Sequence, residues 1–177
     1  MAAWAVLATS GAAQTCEPEA RAEERAMLLE TLKNATSQSA GQAAGAALWQ
    51  FWKVAPDETA QELLDEGVTA IRYADFLRAE EVLARLTVYC PDFAEGWNQL
   101  AFALFLQEKY DPSREALEKT LKLEPDHFGA LAGIGLVHLR QGDKPLALIW
   151  LRRALDVNPW LKERGLLQSL SNDGSDL

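Results

Sequence analysis

From Asp57 onward, apolar residues recur three and four positions apart in successive short runs, with polar residues filling the opposite positions. That spacing predicts one amphipathic helix after another. No segment sustains strict apolar–polar alternation with β-branched enrichment, so the pattern predicts no strands. The runs are punctuated by Pro91, Pro125 and Pro159, spaced 34 residues apart. A fixed period of this length marks stacked helical hairpins. Three blocks result, 57–90, 91–124 and 125–158. Laid on one another, they align Gly67, Ala101 and Gly135, then Phe76 and Tyr110, then Ala79, Ser113 and Ala147, then Leu83, Leu117 and Leu151. Small residues repeating at two points of a hairpin let the two backbones approach, and the leucines fill the space between.

Capping chemistry follows the same period. Asp92 with Glu95 has the form of a capping box, and Asp57, Asp111, Asp126 and Asp143 are expected as helix N-caps. Pro112 is placed in a first helical position, and Gly142 ends one helix before Asp143 starts the next. Upstream, residues 17–33 and 38–54 read as two further helices. Ala44, Leu48 and Phe51, ending at Pro56, imitate the second half of a repeat, so residues 15–56 are expected as a degenerate hairpin that caps the stack. Residues 160–170 are expected as a short capping helix and 171–177 as a frayed tail.

Trp97, Leu100, Ala101, Tyr110, Ser113, Leu117 and Pro125, with their counterparts Leu131, Ile134, Gly135, Ala147, Leu151, Ala154 and Pro159, resemble the signature of the tetratricopeptide repeat. The resemblance spans residues 57–159 and departs at Glu66 and Ala70, where larger apolar residues are usual. It implies an all-α, right-handed α-solenoid of three repeats with a hairpin before and a helix after. The segment 90–143 also resembles small exported bacterial proteins carrying such repeats, which implies an extracytoplasmic scaffold and names no partner.

Charge narrows the function. The chain has 17 basic against 26 acidic residues, so no basic surface is available to displace the counterions of a nucleic acid. No apolar run approaches the ~20 residues that span a bilayer. The acidity is uneven: three basic against eight acidic residues in 57–90, four against seven in 91–124, and four against three in 125–158.

Residues 1–14 carry no charge and end in Gly11, Ala12 and Ala13, which reads either as a signal-peptide remnant, and so a periplasmic or otherwise exported protein, or as a plain N-terminal tail on a cytoplasmic one. Cys16 and Cys90 either pair in an oxidising compartment or stand apart, Cys16 exposed and Cys90 packed.

In stacked hairpins the first helix of each pair lines the concave face. The stripe there runs through Leu64, Val68, Ile71 and Arg72, then Asn98, Gln99, Phe102 and Phe105, then Ala132, Leu136, Leu139 and Arg140. Arg72, Asn98, Gln99, Phe102, Phe105, Leu136 and Arg140 are the candidate groove for a peptide or helix of a partner protein, unless a terminal segment covers it. Family members that bind chaperones grip a C-terminal carboxylate with Lys and Asn on these helices; Lys is absent from the stripe, so that mode is not expected. Trp49 and Trp52 share a helical face and either dock on the first repeat or form an exposed patch; the alternative function is a structural module in which the apolar groove or this Trp49/Trp52 face pairs two copies. His127, His138 and Cys90 are the residues an enzyme would use, but they lack ligand or nucleophile spacing, so the reading is a non-catalytic scaffold with no cofactor and no metal.

Overall fold

The computed structural model describes residues 21–172, and among these every regular element is helical. The order is α1 (Arg21–Lys33), α2 (Gln38–Lys53), α3 (Glu58–Arg72), α4 (Phe76–Tyr89), α5 (Ala94–Leu106), α6 (Tyr110–Leu123), α7 (Phe128–Arg140), α8 (Lys144–Val157) and α9 (Glu163–Asn172). Helices α3 to α8 pack as three consecutive antiparallel hairpins, each against the next, and α9 closes the far end on α8. The aligned small residues lie where each hairpin closes. A β-carbon on Gly67 would stand 2.5 Å from Leu83 Cγ, and one on Gly135 would stand 2.9 Å from Leu151 Cγ. In the middle hairpin Ser113 Oγ donates to Ala101 O at 2.8 Å, fully buried.

Two further features repeat with the period. Each hairpin turn holds one residue in the left-handed region, Ala74 (φ 59°), Glu108 (φ 61°) and Gly142 (φ 83°). Each turn closes with the same bond, from Asp75 N–H to Ala70 O, Lys109 N–H to Leu104 O and Asp143 N–H to His138 O. Each second helix ends at a buried residue before proline: Cys90, Glu124 and Asn158, at 0%, 3% and 4% exposure. Cys90 sits in the core with Leu86 and Phe93; Cys16, which pairs with it in one of the two expected alternatives, and the tract 1–14 lie outside the described residues.

Several caps differ from expectation. Asp57 and Asp143 cap α3 and α8, accepting from Ala60 N–H and Leu146 N–H, and Asp75 caps α4 by accepting from Arg78 N–H. The other turns run one residue further, so Asp92 and Asp126 fall outside the helices. Phe93 takes the cap position of α5 without a side-chain bond, and His127 caps α7 through Nδ1, which accepts from Ala130 N–H at 3.1 Å. Asp111 and Pro112 are the second and third residues of α6, because the helix starts at Tyr110.

The larger correction concerns the N-terminal hairpin. It does not cap the first repeat. The outer face of α3 presents Glu58, Glu62, Asp65, Glu66, Thr69 and Arg72, all exposed, and burying that charged stripe against an apolar hairpin would strip its hydration without return. Instead α2 turns back along the inner face and lies against α5. Leu32, Leu48, Phe51 and Trp52 form a core with Phe128, flanked by Val157, Trp160 and Leu161. Gly41 lies against the Trp160 ring, Gly45 against Asn158 and Gly129 against Trp49, so close that a β-carbon at any of the three would meet a side chain. Arg25 pairs with Glu124 at 2.8 Å, and the Arg21 guanidinium donates to the Val54 and Phe51 carbonyls.

The turn residues give a direct test of the period. Ala74→Gly and Glu108→Gly remove the left-handed penalty and each is expected to stabilise by about 0.5–1 kcal/mol, whereas Gly142→Ala destabilises by about 1 kcal/mol. Urea unfolding midpoints with unchanged slope would show both signs.

Candidate functional site

The hairpin covers most of the inner face but does not fill it. Between α2 and helices α5 and α7 remains a cavity of about 700 Å³. Its apolar wall is Phe102, Phe105, Ala132 and Leu136, faced across the gap by Ala46 and Trp49 of α2. Phe102 is the exposed aromatic of this wall, at 46%, while Phe105 and Trp49 are half-buried.

Of the seven residues expected to form the groove, Asn98, Gln99, Phe102, Phe105 and Leu136 come together around this cavity. Arg140 stands beside it, its guanidinium 5.8 Å from the Phe105 ring centre. Arg72 does not join them and stays exposed at the end of α3. Leu64 is buried and Val68 and Ile71 pack into the core of the first two hairpins, so the groove does not extend along the first repeat.

The polar floor is organised by a residue that capping logic misplaced. Glu95 is fully buried. Its carboxylate accepts from Asn98 Nδ2 at 3.1 Å, from Gln99 Nε2 at 2.6 Å and from His127 Nε2 at 3.1 Å. The tautomer follows from the geometry: Nδ1 of His127 accepts the Ala130 N–H, so the ring proton is on Nε2 and points at Glu95. A carboxylate can only accept, so the amide nitrogens of Asn98 and Gln99 turn toward it and their oxygens turn away. Both nitrogens of His127 are thus committed, leaving neither for a metal or a substrate. The ring also stacks on Trp52, centres 4.0 Å apart, and meets Trp49 edge-on at 5.4 Å. Trp52 is 3% exposed, so the two indoles do not form the exposed patch that was one alternative, and they dock on the third repeat rather than on the first: both rings lie against His127 and Phe128.

Sequence reasoning missed the α2 contribution: Gln42, Ala46, Trp49, Gln50 and Lys53 line the cavity, as do Trp160 and Lys162. Lysine is therefore present, though it comes from α2 and the turn before α9 rather than from the repeat helices. The small residues Gly41, Ala44 and Gly45 were the available signal, because such a face suits close packing against another helix.

Comparison with known proteins agrees with this architecture. Residues 99–159 match the family model described as tetratricopeptide repeat. A TPR repeat-containing protein of Rhizobium etli is 39% identical over 69 residues, covering 39% of this chain and 34% of the relative, so the chain spans about a third of that protein's length. Among solved structures, the first TPR of Spaghetti bound to an HSP90 peptide, SRMEEVD, superposes with TM-score 0.63 at 16% identity, over 66% of this chain and 94% of that one. The Yersinia enterocolitica type III secretion chaperone SycD, in complex with a peptide of the translocator YopD, does so with TM-score 0.62 at 12% identity, over 67% and 97%. At these identities the likeness establishes a shared fold.

The buried network is testable by its coupling. His127→Ala leaves Glu95 without one of its donors and removes the Trp52 stack, and is expected to cost about 2–4 kcal/mol. Glu95→Gln keeps an acceptor and should cost about 1–2 kcal/mol. In a double-mutant cycle the two losses should be non-additive by more than about 0.5 kcal/mol; simple additivity would contradict the network.

Proposed function

We propose that this tetratricopeptide-repeat chain is a non-catalytic scaffold that holds a short segment of a partner protein in the cavity between α2 and helices α5 and α7. The observation that carries this reading is the cavity itself: an apolar recess of about 700 Å³ with Phe102 open at its wall and the amide groups of Asn98 and Gln99 fixed by Glu95. A large apolar side chain entering beside Phe102 and Leu136 gains burial, while pre-oriented amides pair with the segment's backbone at little entropic cost. Neighbours of this fold that hold partner peptides support the general role. Because α2 blocks the rest of the inner face, the segment is short rather than an extended peptide lying along all three repeats.

An exported setting accords with the uncharged residues 1–14, apolar from Ala2 to Ala8, and there Cys16 would pair with Cys90 and tether the N-terminal arm to the first repeat.

A photo-crosslinking phenylalanine analogue at position 102 of the full chain, expressed in its own compartment, is expected to capture one defined protein. The same analogue at Leu77, exposed on α4, serves as the control. With that partner in hand, Phe102→Ala should weaken binding about 30-fold while leaving helicity unchanged. Identical adducts at both positions, or none at 102, would rule the proposal out.

A further inference from the structure

We infer that, when Cys16 and Cys90 are reduced, the inner face also accepts the α1–α2 hairpin of a second copy of this chain, by reciprocal exchange about residues 54–56. Three observations carry this.

The hairpin is seated far from its own attachment. It rests on α5, on His127 and Phe128 at the start of α7, on Glu124, and on the turn through Asn158 and Trp160. Toward α3, to which it is joined, the connection packs Ala55 and makes one hydrogen bond among the described residues, Ala55 N–H to Gln61 Oε1 at 2.9 Å. The connection is short, and Pro56 holds the residue before it in extended backbone, so straightening it requires little rearrangement.

The seat is imperfectly filled. The cavity lies under α2, and beside it, in the core that α2 makes with His127 and Phe128, Trp52 Nε1–H is buried with no hydrogen-bond partner. Among the described residues it is the one buried side-chain polar atom left so, and it lies at the hairpin's seat rather than between repeats. The hairpin is therefore the layer that opens first.

Once open, it has reason to close on any copy. Residues 21–54 carry four basic and three acidic side chains, against eleven basic and eighteen acidic in 57–158. Opening bares Leu32, Leu48, Phe51, Trp52 and Phe128, each no more than 6% exposed when seated. An apolar surface of this kind is covered again by the same contacts made in trans. The exchanged pair keeps the cavity but builds it from two chains, with Trp49 supplied by one and Phe102 and Leu136 by the other. The partner-binding reading does not depend on the exchange, and crosslinking at position 102 tests it separately.

Reversing one ion pair tests the exchange. Arg25→Glu and Glu124→Arg each place like charges together, both in the closed monomer and in a dimer of that variant alone. Mixed, they restore opposite charges in both seats of an exchanged heterodimer. In reducing buffer, mixing is expected to raise the dimer fraction seen by light scattering at least tenfold over either variant alone. The native chain supplies a second measurement that needs no variant: labelled and unlabelled protein, incubated together at high concentration in the same reducing buffer, should yield mixed dimers by native mass spectrometry. A native chain that stays monomeric at millimolar concentration would overturn the inference, as would dimers that form equally well from either folded variant by itself.

Discussion

Two helices can lie flush only where side chains leave room for their backbones, and that constraint decides how this chain is arranged. Within the repeats it is met by Gly67, Ala101 and Gly135, each opposite a larger or hydrogen-bonding residue of its partner helix. Between the N-terminal hairpin and the stack it is met by Gly41, Gly45 and Gly129, which admit Trp160, Asn158 and Trp49. The first set fixes the stack. The second brings α2 onto the inner face, and with it every property of the candidate site follows: its size, its one open aromatic and its mixed walls. A solenoid whose inner face is already occupied offers a recess rather than a long channel.

The seat has a second requirement, which is electrostatic. A carboxylate buried as fully as Glu95 must have its lone pairs satisfied. Three neutral donors do this, and one of them, His127, is held by Ala130 on one side and by the Trp52 face on the other. The same imidazole therefore links the amide floor of the cavity to the hairpin that roofs it. The pre-proline residues extend this tie along the stack: Glu124 receives Arg25, and Asn158 lies against Gly45 while its Oδ1 accepts the Trp160 N–H. Positions that repeat for the sake of the turn are reused, with different side chains, to fasten the arm.

Much of this was legible in the sequence because repetition makes a local pattern visible three times. The prolines, the aligned small residues and the leucines opposite them fixed the blocks 57–90, 91–124 and 125–158, and the helix limits near 33, 38 and 53 were also readable. What was not legible lies between elements distant in the chain. Periodicity shows that α2 has an apolar face, but not whether that face meets α3 or α7. The charged outer stripe of α3 was present in the sequence as evidence against capping, and Glu66 marked it. Glu95 misled for a related reason: three residues after Asp92 it imitates a capping box, whereas its partners are Asn98 and Gln99, within a turn, and His127, 32 residues away. Only the fold brings the last of these beside it.

The site exists because the N-terminal hairpin roofs the inner face at the third repeat. Nuclear Overhauser contacts of the Trp52 indole in the full, isotopically labelled chain report on it most directly. Strong contacts are expected from the Trp52 ring to the rings of His127 and Phe128, whose centres lie 4.0 and 5.0 Å away. Contacts instead to α3 side chains such as Leu63 and Thr69 would place the hairpin as a cap on the first repeat and leave the inner face unroofed.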